Sequence, residues 1–327
     1  MLSLRRGTVT AIAERHDGLV RLEVDGRACV AYPDLTGPVA IGDDVLVNVQ
    51  AVELALGSGG FDVLHANLTR GLDLAPEPGA HVMKLPYTSL QHAVDHAEEE
   101  QPGGGGLVQM PVVCCSLHSQ LAPVCAGLGR RLAVGYVQLP GGALPVALSD
   151  TVRTLHDESY LHTTVAVGPC FGGATACVTA ASALLACARA GMEAVVCSVG
   201  PGLVGTGSRY GHGGLAAADA ANAAAALGGS PILAARVSGA DPRGRHRGLS
   251  HHTIAAVELI TGAVTVAWPA ELDIPPELPA VEAVDASGWR EACAGLPLSH
   301  MGRGPDEDPA FFAAAYAAGA LARTRLP

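Results

Sequence analysis

Lysine is nearly missing from this chain of 327 residues: nineteen arginines accompany one lysine, Lys84. Arginine has taken over wherever a positive charge suffices. That makes Lys84 a candidate for chemistry that needs an amine able to lose its proton. Aromatics make up 4% of the residues and charged side chains 16%, while 49% are apolar. Such a composition excludes a disordered chain and points to helices packed closely through alanine and glycine. An excess of basic residues is also missing. The net charge of −11 argues against a nucleic-acid partner, which would meet a basic face, but leaves room for a local basic pocket. No apolar run reaches the roughly 20 residues of a membrane span. The longest Ala-rich stretch, residues 174–188, is broken by Thr and Ser, and the first residues lack the apolar core of a signal peptide. The nine cysteines contain no Cys-x-x-Cys pair. They read as buried, reduced thiols in a cytoplasmic protein, not as a disulfide framework.

What is present divides the chain. Residues 1–68 alternate in short strands, with Asp25-Gly26 as a hairpin turn between two of them. A small SH3-like or OB-like β-barrel is expected there. Residues 69–106 form a connection that ends in the glycine-rich linker Gln101-Pro-Gly-Gly-Gly-Gly106. Residues 107–327 alternate between strand and helix patterns. Strands are expected at 111–115, 132–138, 163–167, 194–199, 231–237 and 264–268. Helices are expected at 119–128, 145–155, 174–190, 214–227, 252–260 and 309–321. The fold class is therefore α/β: a mostly parallel, Rossmann-like sheet with a small N-terminal barrel.

In such a sheet, ligands bind outside the carboxyl ends of the strands. Two loops at that edge stand out. The strand at 194–199 runs into Gly200-Pro-Gly-Leu-Val-Gly-Thr-Gly-Ser-Arg-Tyr-Gly211 and then into a helix. Glycines let backbone N–H groups approach an anion, and a helix N-terminus adds partial positive charge. Gly202, Gly205, Thr206, Gly207, Ser208 and Arg209 are the candidates there. The loop is neither a Walker loop nor a dinucleotide fingerprint. The strand at 231–237 runs into a loop carrying Asp241, Arg243, Arg245, His246, Arg247, Ser250, His251 and His252. The arginines suit bidentate phosphate or carboxylate recognition, and His246, His251 or His252 could serve as acid or base. A metal held by Asp241, His246 and either His251 or His252 is the competing reading, although the spacing matches no zinc signature. Plain structure would make Ser250 an N-cap and the arginines a solvated loop.

Other positions carry weaker signals. His118 follows the strand at 111–115 and is a candidate acid or base. Cys170 has no activating base beside it in sequence. Arg303, between two glycines, is a further anion candidate, whereas Asp308-Pro309 fits an N-cap and first helical residue.

Five segments together resemble one bacterial family of about this length that is known only as a domain of unknown function. They are Gly200-Pro-Gly-Leu-Val-Gly-Thr-Gly207, Asp241-Pro-Arg-Gly-Arg-His-Arg-Gly-Leu-Ser-His-His-Thr253, Met83-Lys84-Leu85, Tyr32-Pro-Asp-Leu-Thr-Gly-Pro38 and Met301-Gly-Arg-Gly-Pro-Asp-Glu-Asp-Pro309. The resemblance spans nearly the whole chain and implies no activity. The expectation is a site for an anionic small molecule, with enzymatic action open. The alternatives are an interaction or regulatory protein that uses the barrel, and a metal-dependent hydrolase. The sequence names no cofactor and leaves a homo-oligomer open.

Overall fold

The computed structural model describes residues 2–55, 59–70, 74–75, 77–98 and 105–326. Most of the expected linker, residues 101–104, lies outside the described residues. The chain separates into two compact units, Met1–Asp95 and His96–Pro327.

In the first unit, β1 (Leu4–His16), β2 (Leu19–Val24), β3 (Arg27–Ala31), β4 (Asp44–Asn48) and β5 (Asp62–Asn67) close into a barrel in the order β1-β2-β3-β5-β4. The β2–β3 hairpin turns at Asp25-Gly26, where φ is 51° and 72°. Two successive left-handed residues match the twist of the paired strands, which is why Asp-Gly suits this turn. Val9, Val20, Leu22, Val24, Val45, Val47 and Leu64 fill the interior. Single helical turns α1 (Pro33–Thr36) and α2 (Gln50–Glu53) interrupt the strands. A short hairpin of β6 (Val82–Lys84) and β7 (His92–Val94) follows.

The second unit is built on an eight-stranded sheet. Its strands are β8 (Pro111–Cys115), β9 (Val134–Leu139), β10 (Thr163–Val167), β11 (Thr175–Cys177), β12 (Ala194–Val199), β13 (Ser230–Ala234), β16 (Thr265–Pro269) and β17 (Val281–Val284), with β14 and β15 given below. All pairings are parallel, in the order β11-β10-β9-β12-β8-β13-β16-β17. The central strands β8, β9 and β12 are buried on both faces, so they read as continuous apolar runs. On one face Val113, Cys115, Tyr136 and Val196 pack with α3 (Leu121–Leu128) and α9 (Pro309–Thr324). On the other, Val112, Cys114, Val137 and Cys197 pack with α5 (Ala180–Arg189), α6 (Ala216–Ala226) and α7 (His251–Leu259). Close packing through small residues is visible at Gly319 in α9. A Cβ there would lie 1.9 Å from the Val124 carbonyl oxygen of α3. Two more helices, α4 (Asp150–Asp157) and α8 (Trp289–Ala292), complete the unit.

Several elements differ from the sequence expectation. The stretch expected as one helix at 174–190 divides. Thr175–Cys177 is a strand paired with β10, and the helix starts at Ala180, capped by Thr179 with Ser182 as its reciprocal partner. The helix expected from 145 begins at Asp150, where Ser149 accepts the Val152 amide. The strand expected to reach 237 stops at Ala234. Edge strand β17 carried no sequence signal strong enough to be read.

The centre of the sheet positions the site. From β8 the chain moves to one side, to β9, and from β12 it crosses back over β8 to β13. The carboxyl ends of β8, β12 and β13 therefore flank a topological switch point, the place where open α/β sheets bind ligands.

Candidate functional site

After β13 the chain forms a small antiparallel pair, β14 (Val237–Ser238) with β15 (Gly248–Leu249). Their connection holds Asp241 and three arginines. Arg236, just before β14, is 2% exposed, and Asp241 is fully buried. Asp241 Oδ1 accepts from Arg243 N–H and Nε at 3.0 and 2.9 Å, and Oδ2 from Arg243 Nη2 at 2.8 Å. Arg303 Nη2 lies 3.4 Å and Arg236 Nη2 3.6 Å from the same oxygen. Arg247 Nε donates to the Asp241 carbonyl at 3.3 Å. The hydrogen bonds from Arg243 hold the Asp241 carboxyl far below its ordinary range. Burial, then the neighbouring Arg243, pushes Arg236 down to about 10.

Asp308 sits at the N-cap position of α9 with Pro309 following, but its carboxylate does not cap the helix. It accepts instead from Ser238 Oγ at 2.5 Å, Gly239 N–H at 3.0 Å and Arg303 Nε at 3.2 Å. Two buried carboxylates thus face Arg236, Arg243 and Arg303, while Arg245 and Arg247 stay exposed beside them.

Ser250 caps α7 by accepting the His252 N–H, so His251 and His252 open the helix. The Ser250 hydroxyl lies 2.7 Å from His246 Nδ1. His212, from the far end of the glycine-rich loop, completes a cluster of four rings. It stacks on His252 at 3.7 Å between centroids and meets His251 at 5.5 Å. His246 lies 4.8 Å from His251 and 4.9 Å from His252. Arg236 Nη1 donates to His252 Nδ1 at 3.0 Å. Burial, then Arg236, pushes His246 down to about 3; the same causes lower His252. Burial also lowers His212 and His251. All four rings are neutral at pH 7.

The glycine-rich loop reaches this cluster. A Cβ on Gly207 would lie 3.7 Å from the Arg245 guanidinium carbon, and Gly205 bridges to His212. Much of the loop is nevertheless bonded to itself. Val204 N–H bonds to the Gly141 carbonyl, Thr206 N–H to Gly211, and Gly213 N–H to Val204. Thr206 and Ser208 hydroxyls bond each other at 2.8 Å, and Ser208 N–H bonds to Thr206 Oγ1. Gly202 has φ 71° and is exposed. Arg209 and Tyr210 are held by Glu258 of α7. The glycines at 141 and 213 serve packing: a Cβ on Gly213 would meet the Gly141 carbonyl oxygen at 2.1 Å.

His118 and Cys170 stand apart from this cluster within the second unit. His118 bonds the Val199 carbonyl through Nδ1 at 3.1 Å and Ser149 Oγ through Nε2 at 2.7 Å. Burial pushes it down to about 4. Lys84 is buried on β6 of the first unit, whereas every residue of the cluster belongs to the second. Cys170 is buried, as are the other eight cysteines. A cavity of about 520 Å³ opens at the opposite edge of the sheet, lined among others by Asn222, Ser230, Thr265 and Arg325. Another of about 230 Å³ lies by α5, lined by Thr163, Thr175 and Arg189. Neither gathers histidines or converging cations, so the chemistry favours the cluster over the cavities.

Sequence reasoning missed Arg236, His212 and His300. Arg236 hid inside an apolar strand pattern, and His212 looked like a helix start. His300, stacked on Phe311 at 3.7 Å and bonded to Ser119 Oγ at 3.1 Å, lay beside Arg303 without a pattern of its own.

No curated protein matches the chain. The profile of a protein of unknown function, DUF3866, matches residues 27–319 and takes in both the barrel strands from β3 onward and the whole arginine–histidine cluster. The chain therefore belongs to the DUF3866 family of proteins of unknown function.

Proposed function

We propose that this protein binds a small anionic metabolite, bearing a phosphate or carboxylate, at the arginine–histidine cluster beside the ends of β12 and β13. The observation that carries the reading is charge imbalance. Arg236, Arg243 and Arg303 share two carboxylates, Asp241 and Asp308, Arg247 reaches only the Asp241 backbone carbonyl, and Arg245 stands against Gly207. Asp241 fixes the inner guanidiniums in place, and Arg245 and Arg247 remain exposed for a ligand. An anion would be met by fork-like guanidinium donors and, with Ser250 donating to Nδ1, by the Nε2–H of neutral His246. Gly207, whose missing side chain leaves Arg245 accessible, is the part of the glycine-rich loop that fits this role. His246 is too weak a base to carry protons at pH 7, so it orients and polarises the ligand. The nine buried cysteines support a cytoplasmic location, where thiols stay reduced.

The test is thermal stability across phosphate, pyrophosphate, sulfate, citrate and a panel of phosphorylated metabolites. A ligand of the native state raises the melting temperature by mass action. The double variant Arg245→Ala/Arg247→Ala should keep its own melting temperature and lose most of the rise. No rise with any anion would contradict the reading and favour an interaction role for the barrel.

A further inference from the structure

We propose that His212, His251 and His252 form a binding site for a divalent transition-metal ion of the zinc class, with an open coordination position. One potential ligand atom from each of the three rings lies within 4.8 Å of those of the other two. Tetrahedral zinc with Zn–N bonds of about 2.0–2.1 Å needs nitrogens about 3.4 Å apart, with the ion in the plane of each ring; His212 and His252 are stacked at 3.7 Å and 16°, so one of the two rings must turn out of the stack to ligate. The rings come from two segments, the end of the glycine-rich loop and the first turn of α7, so the ion would tie one to the other.

A second observation points to a ligand here. His212 is 7% exposed, and its ring nitrogens, with the Arg209 backbone near, are buried without a well-formed hydrogen bond among the described residues; His251 Nε2 is buried without one too. Buried polar atoms in native proteins are almost always paired. Here three such imidazole nitrogens collect in one place, and neutral imidazole is a ligand for zinc, cobalt, nickel and copper. The fully histidine set differs from the Asp241-containing set that the sequence suggested. The Asp241 carboxylate is committed to guanidiniums, and His246 to Ser250.

The obstacle is Arg236, which donates to His252 Nδ1 at 3.0 Å. A histidine that ligates through Nε2 carries its proton on Nδ1, so metal binding requires this guanidinium to turn away. Asp241, 3.6 Å from Arg236 Nη2, offers the place to turn to. Three histidines leave a fourth position of a tetrahedral ion open, as in catalytic zinc sites. The arginines around it are the donors that would hold an anionic ligand next to the ion. The metal site stands independently of the anion reading, because it is tested by metal alone.

The experiment strips the full-length protein with chelator and titrates it with Co²⁺, reading the visible absorption of bound cobalt and the bound metal per chain after desalting. The expected result is one Co²⁺ per chain with the intense bands of a four- or five-coordinate ion, displaced by Zn²⁺. His212→Ala and, separately, His251→Asn should each abolish the bands, with melting curves showing that both variants fold. His156→Ala, an exposed histidine of α4, should change nothing. Arg236→Gln should bind more tightly than wild type, since it removes a cation and its amide oxygen can accept from His252 Nδ1–H. No bound Co²⁺ in either wild type or Arg236→Gln overturns the proposal. So do bands that survive His212→Ala, and bands that His156→Ala removes.

Discussion

Two histidine-bearing stretches lie along the same carboxyl edge of the sheet and behave in opposite ways. Beside β8 and β9, His118 has both ring nitrogens engaged, and the Gly141 loop packs backbone-to-backbone against Gly213. Beside β12 and β13, His212 and His251 carry ring nitrogens without well-formed hydrogen bonds, and the arginines outnumber the carboxylates. The first half spends its polar groups on holding the fold. The second leaves them available. Position at a strand end therefore marks where a site can be, and the state of the hydrogen bonds decides which residues there have work left to do.

The largest effect should come from Asp241. Replacing it with Ala leaves Arg236, Arg243 and Arg303 without their shared carboxylate, and removing one partner of a buried ion cluster costs about 3–5 kcal/mol. Urea unfolding of Asp241→Ala measures it. A loss under about 1 kcal/mol would mean that the cluster is solvated rather than built.

Acid should come next. His118 is pushed down to about 4 and His300 to about 3, both first by burial, with Arg236 and Arg303 adding to the shift at His300. Between those values and an unfolded value near 6.5, the unfolded chain binds protons that the native chain refuses. Stability is then full above pH 6.5 and falls as the pH drops toward 4, by at most about 1.4 kcal/mol per pH unit for each histidine. Chemical denaturation at pH 7.5, 6, 5 and 4.5 tests this. The His118→Gln variant should flatten the slope, and an unchanged slope would remove His118 from the buried, neutral half of the comparison.

Ser149→Ala should cost about 1–2 kcal/mol, because it removes both the cap of α4 and the partner of His118. It should leave anion binding unchanged. Coupled loss of binding would show that the two halves of the edge are one site.

The smallest structural effect should be at Gly207. An added Cβ meets only the Arg245 guanidinium at 3.7 Å, an ordinary contact, so Gly207→Ala should shift stability by no more than about 0.5 kcal/mol yet weaken anion binding. Gly213→Ala, with its 2.1 Å contact, should do the reverse: destabilise first. Equal stability losses in both variants would erase the distinction between the packing and ligand-facing parts of one loop.

Much of the fold could be read directly. Strands Pro111–Cys115, Thr163–Val167 and Ala194–Val199 have the expected bounds because β-branched apolar runs end in Ser or Gly turns. Where alanine dominates, the pattern loses its period. Residues 174–190 looked uniformly helical, and only the Thr179–Ser182 cap marks the break. The local half of the site was legible too, since Asp241, Arg243, His246, Ser250 and His252 interact across a few residues. Arg236, His212, Arg303 and Asp308 join it through the topology of the sheet and the start of α9. No local pattern announces such contacts. Asp308 shows the limit clearly: its sequence context fits a cap, and its carboxylate turns instead to Ser238, Gly239 and Arg303.

The contrast between the two halves of the edge is tested most directly by histidine ring signals in NMR, assigned with single His variants and followed during titration with phosphate, pyrophosphate and citrate. The account predicts saturable shifts at His246 and His251, and none at His118. Unmoved rings at His246 and His251 with every anion, or a shift at His118 alone, would contradict it.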